Sequence, residues 1–105
     1  MRGPYPIWPS QVDMHVTPHV GGVFMVAKDT KKVALICRVD KDLREIIKAH
    51  VDKYRFFWFD ASMGRAGAFA AHCRLFHKHE AAGLDDPAHP TPPAGTDLKC
   101  PVCGK

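Results

Sequence analysis

The chain contains no apolar run long enough to cross a bilayer, which takes about 20 residues, so the sequence implies no membrane partner. Its opening, MRGPYPIWPS, has one Arg and then prolines, without the apolar centre of a secretion signal. A cytoplasmic location is the expectation. Cysteine is scarce and unevenly spaced, with four in 105 residues at positions 37, 73, 100 and 103. That pattern argues against a disulfide framework and favours a metal-binding pair. No internal repeat is visible, which excludes a solenoid. Charge is mild as well. The net value of +4 and pI near 9.0 permit a polyanion partner but do not demand one, because the basic residues are spread along the chain. Nothing in the sequence asks for an organic cofactor.

What is present suits one globular domain, with 46% hydrophobic and 10% aromatic residues. Residues 1–19 carry four prolines and read as an irregular arm, anchored by Tyr5, Ile7 and Trp8. The core is expected over 20–80. GGVFMVA (21–27) and VALICRV (33–39) flank the polar turn KDTKK and predict a hairpin. Asp40 is a plausible cap for a helix over 41–51, where Leu43, Ile46, Ile47, His50 and Val51 share one face. YRFFWFDA (54–61) alternates and predicts a third strand, with Ser62 as the cap of a second helix over 63–80. The tail, 81–105, is too rich in proline and glycine for a regular element. The predicted fold class is α+β, a small, mostly antiparallel three-stranded sheet flanked by helices, in the order β-β-α-β-α plus tail.

The clearest chemical signal is the terminal LKCPVCGK. Cys100 and Cys103 are spaced as a thiolate pair that grips one ion. Cys73 and His77 lie four apart in the second predicted helix, hence on one face. Cys73, His77, Cys100 and Cys103 are therefore the expected zinc ligands, a structural site that anchors the tail. A tail of about 20 residues without regular structure is uncommon in a compact domain unless something ties it down. Closing it costs on the order of 3 kcal/mol plus a constant, well below the ~10–16 kcal/mol that structural zinc supplies. The bland alternatives are a buried apolar Cys73 and a surface His77. His72 and His79 fall off the Cys73 face, and Cys37 among apolar strand residues reads as core.

The order of these pieces, with GGVFMVAKDTKKVALICRVDKDLREIIKAH in front, resembles the GIY-YIG endonuclease domain. The arm GPYPIWPSQVDMHVTP, the helical CRLFH and the tail HPTPPAGTDLKCPVC are similar to a group of short bacterial proteins of that family. The resemblance implies metal-assisted phosphodiester hydrolysis by two tyrosines, an arginine and a glutamate. The matching positions here are Phe24, Leu35, Ile46 and His72. Phenylalanine and leucine cannot move a proton, and isoleucine cannot bind phosphate. The resemblance thus implies a degenerate nuclease whose former cleft has become apolar, with Ile46 pointing at Phe24 and Leu35.

Two classes of function follow. One is a non-catalytic binding module. Its partner is either nucleic acid, held by Arg38, Lys41, Arg44, Lys48, Arg55 and Arg65, or a protein, anchored on aromatic groups such as Trp8. The other is a metal-dependent endonuclease with a residual or rebuilt centre, for which His15, His19, His50 and His72 are candidates.

Overall fold

The structure is a computed structural model, and residues 1–62 and 64–104 are described. A four-stranded antiparallel sheet carries three helices. In chain order the elements are β1 (Arg2–Pro6), α1 (Pro9–His15), β2 (Gly22–Ala27), β3 (Leu35–Val39), α2 (Leu43–Lys48), β4 (Phe56–Ala61) and α3 (Gly64–His79), followed by a 3₁₀ turn over Glu80–Ala82. The strand order is β1-β4-β2-β3.

Strand β2 is central, and all six of its residues are buried. Side chains alternate across a strand, and the register turns that alternation into two apolar layers. Phe24 stands between Cys37 and Phe59, and Met25 between Ile36 and Trp58. On one face Phe24, Val26, Phe57 and Phe59 meet Ile7, Val12 and Val16 from the N-terminal segment and Leu43 and Ile47 from α2. On the other face Val23, Met25 and Ile36 meet Ala71 and Leu75 of α3 and Leu84 of the tail. Gly22 is required by close approach, since a Cβ there would lie 2.1 Å from the Asp60 carbonyl oxygen across the ladder.

The N-terminal arm is not irregular. Residues 2–6 add a fourth strand, with Tyr5 opposite Phe57 and Pro6 opposite Phe56. Pro4 and Pro6 argue against a strand only when both of its edges must pair. At the rim of a sheet one side needs no donors. Pro9 then opens α1, a position where its missing N–H is harmless. Tyr5 and Ile7 do anchor this segment, but Trp8 is 60% exposed.

Helix α2 is shorter than its periodicity suggests, and Asp42 rather than Asp40 caps it by accepting from the Glu45 N–H at 3.4 Å. The buried Leu43, whose N–H donates to the Val20 carbonyl at 2.8 Å, sets that start. Ser62, the expected cap of α3, takes φ 60° and adjoins Met63, which lies outside the described residues. Cys37 is half-buried against the first apolar layer, as core. No helix among the described residues is long and apolar enough to cross a membrane.

The tail beyond Gly83 crosses the α3 side of the sheet in extended and turning backbone. It is held at several points. Tyr54 donates to Asp85 at 2.6 Å, Arg38 to the Thr91 carbonyl at 2.7 Å, and Arg65 to the Ala94 carbonyl at 2.9 Å. Pro90, Pro93 and Cys100 are buried along this path.

Candidate metal centre

The last turn of α3 presents His77, and the tail brings His89, Cys100 and Cys103 up to it. One ligand atom from each of these residues lies within 4.8 Å of the others. The two Nε2 atoms are 3.3 Å apart, and the Cys103 sulfur is 3.2 Å from His89 Nε2. Two nitrogens bound at about 2.0–2.1 Å to a tetrahedral ion stand roughly 3.3–3.4 Å from each other. The histidine pair already has that spacing.

The outer nitrogens define the protonation. His77 Nδ1 lies 2.7 Å from the Glu80 carboxylate, one helical turn on. His89 Nδ1 lies 2.9 Å from the Pro90 carbonyl oxygen. Carboxylate and carbonyl only accept, so both Nδ1 atoms carry the hydrogen. With the hydrogens on Nδ1, the two rings turn their Nε2 atoms to one point, beside two sulfurs. Such a point needs a proton or a cation. Ligating histidines are typically fixed in this way by an acceptor on the far nitrogen, and the arrangement is compatible with a metal site.

The cysteines divide sharply. Burial opposes ionisation of Cys100. Even so, the N–H groups of Cys103 and Val102, with His89 and the Cys103 thiol beside it, lower its pKa to about 5. The shift is toward the thiolate, the form that binds metal. The turn that supplies those donors closes through the Gly104 N–H to the Cys100 carbonyl at 2.9 Å, and Gly104 has φ 76°, which favours glycine. Cys73 is the opposite case. It is fully buried in an apolar cluster with Phe69, Cys100 and Leu98. Burial first, then the neighbouring Cys100 sulfur, push its pKa to about 12.

Three of the four expected ligands thus come together, and Cys73 lies outside the group of four, against its edge. His89 is the fourth member of that group. It was missed because AHPTPP has no periodicity that ties a side chain to a face. The available signal was a histidine beside proline in a segment that ends in a thiolate pair. His79, expected off the site, is half-buried and outside the group.

The four degenerate positions do not share a cleft. Phe24 is fully buried in the first apolar layer, where its ring meets His50 edge-on at 5.5 Å between centroids, and Leu35 packs on that layer. Ile46 is 42% exposed and turns away from them. His72 belongs to α3, on the other side of the sheet, beside Ile36. The remaining histidines are dispersed too. His15 stacks on Tyr5 at 3.8 Å, and the exposed His19 is 3.5 Å from Asp42.

Most of the expected phosphate contacts have internal duties. Arg38 binds Thr91, lies 3.5 Å from Asp40 and covers the Phe69 ring. Arg44 donates to the Val16 and Asp13 carbonyls at 2.7 and 2.9 Å, docking the N-terminal segment on α2, and Lys48 joins it through Asp13 at 3.1 Å. Arg65 holds Ala94. Lys41 and Arg55 are exposed. No protein-family model, curated protein or solved structure matches the chain, the GIY-YIG endonucleases included.

Proposed function

We propose that the chain is a zinc-clamped, non-catalytic binding module with a GIY-YIG-like core and a protein as its partner. The observation that carries the clamp is the pair of histidine Nε2 atoms, 3.3 Å apart, converging beside Cys100 and Cys103. Two thiolates and two imidazoles suit zinc, which prefers such borderline and soft donors in a closed tetrahedral set. Zinc here ties α3 to two separate points of the tail.

The non-catalytic reading is supported by the scatter of Phe24, Leu35, Ile46 and His72 over both faces of the sheet. The order hairpin, helix, strand, helix over residues 22–79 is the order the resemblance implies, with β1 added at the rim. A protein partner is favoured over nucleic acid because Arg38, Arg44, Lys48 and Arg65 are spent on internal contacts. Trp8 offers the opposite kind of surface. It stands exposed at the rim of a cavity of about 470 Å³ walled by Pro6, Val51, Tyr54 and Phe56. Exposed tryptophan beside such a cavity is a typical interface anchor.

Elemental analysis combined with a salt-dependent mobility shift on duplex DNA tests the proposal. One zinc per chain, and no tight DNA complex, are expected. A metal-free chain refutes the clamp. A DNA complex that weakens by about 10³-fold or more between 50 and 200 mM salt, as for at least six phosphate contacts, refutes the protein-partner reading.

A further inference from the structure

Lys28, Lys53 and Arg55 are not spent on internal contacts as Arg38, Arg44, Lys48 and Arg65 are. All three are exposed, and none of them enters an ion pair among the described residues. The backbone places them at the same end of the sheet as Trp8. The Arg55 carbonyl accepts from the Ile7 N–H at 2.9 Å, and the Arg55 N–H donates to the Ala27 carbonyl at 2.9 Å. Trp8 follows directly on one of these partners of Arg55 and Lys28 on the other, while Lys53 lies two residues before it. The connecting segments 28–32 and 52–55 together carry five basic residues against two acidic ones, Asp29 and Asp52. Asp29 is already occupied by the Lys31 and Lys32 N–H groups, at 2.8 and 3.1 Å.

The cavity beside Trp8 holds about 470 Å³ and is walled by Pro6, Ile7, Val51, Tyr54 and Phe56, with Arg55 as its one charged lining residue. That volume lies within the roughly 300–1,000 Å³ of ordinary ligand pockets, room for a large apolar side chain and the backbone that carries it. Apolar walls reward such an anchor by burial. Unpaired positive charge at the edge selects the sign of what surrounds the anchor, because like charges brought together across an interface are strongly penalised.

We infer that the Trp8 cavity receives an acidic peptide segment, one large apolar side chain entering the cavity and flanking Asp or Glu residues facing Arg55, Lys28 and Lys53. The inference rests on the protein-partner reading above and adds the partner's chemistry. A basic segment would meet like charge at Arg55. Adding a partner strand along the β1 rim is disfavoured, because Pro4 and Pro6 have no N–H to offer it. Side chains are left to supply the affinity. A single-stranded nucleic acid stacks successive bases on several rings, whereas Trp8 is the one exposed Trp, Tyr or Phe among the described residues.

The test pans a random library of short displayed peptides on the full chain and measures the enriched peptides in solution by fluorescence polarisation, with oligothymidylate as the nucleic-acid control. Enriched peptides should share a Phe, Trp, Leu or Ile flanked by Asp or Glu. Trp8→Ser should weaken the best of them about thirtyfold or more, the loss of an interface hot spot. Arg55→Glu should weaken it about tenfold or more, by charge reversal. Both residues are exposed, far-UV dichroism checks that the variants fold, and either variant decides the case if the other does not. Trp8-dependent enrichment of neutral or basic peptides overturns the acidic class and leaves the protein-partner reading standing. Oligothymidylate binding that Trp8→Ser abolishes overturns both. No enrichment, or equal affinity of acidic peptides for wild type and variants, overturns the inference.

Discussion

Replacing His89 with alanine removes one of four donors from the cluster while leaving the sheet and its two apolar layers untouched, since His89 belongs to neither. A structural zinc site of four ligands supplies an apparent ~10–16 kcal/mol, so one ligand accounts for roughly 3–4 kcal/mol, or about 10²–10³ in affinity. Cys73→Ala is the matched control. Cys73 is neutral, buried and packed against Cys100. Its truncation should cost about 1 kcal/mol of stability, as for an average core change, and leave zinc affinity within about threefold, because no donor is lost. Competition with a chromophoric chelator measures both variants, and far-UV dichroism checks that both keep their fold. The diagnostic result is the contrast: His89→Ala weakened by two to three orders of magnitude, Cys73→Ala unchanged. The reverse pattern, with Cys73→Ala losing zinc and His89→Ala holding it, would refute the reasoning. It would show that the i, i+4 pair on α3 supplies two ligands and that the approach of His89 is incidental.

Glu80→Gln keeps the size of the side chain but weakens the 2.7 Å contact that orients His77; zinc affinity should fall about 10–100-fold in the same competition assay. The neutral state of His72 makes stability depend on pH. Its folded pKa, about 4, is below the ordinary 6.5, so the unfolded chain binds the proton first and stability is lost as pH falls from about 6.5 through 4. The loss is at most about 3 kcal/mol, reduced by residual solvent contact. Urea unfolding at several pH values should show it in the wild type and show a flatter profile in His72→Leu; parallel profiles would rule out His72 as the cause. The double change Phe24→Tyr with Leu35→Tyr should not produce divalent-dependent nicking of plasmid DNA, because His72 lies across the sheet and Ile46 faces solvent. Cleavage that survives repurification would show a working centre elsewhere in the chain.

Residue spacing along the chain determined the local elements. Two alternating runs around KDTKK, the alternating FFWFD and the 3.6-residue repeat of Phe69, Cys73 and Phe76 place the hairpin, β4 and α3, because each pattern acts over a few neighbours. The thiolate pair at Cys100 and Cys103 is legible for the same reason, since a turn of four residues creates both its geometry and its N–H donors. Tertiary structure decided the rest. The proline-bearing β1 is a strand only because it falls at the rim beside β4, where no second partner demands its N–H groups. His89 becomes a candidate ligand only because Arg38, Tyr54 and Arg65 hold a segment without periodicity against α3. Cys73, one turn before His77 and on the same face, is displaced from the group because that face also packs the core. Likewise, Arg38, Arg44, Lys48 and Arg65 look free in the sequence and are engaged in the fold. A charge shows its sign in one dimension, but its partners are set by which distant carbonyl oxygens the folded chain brings within reach.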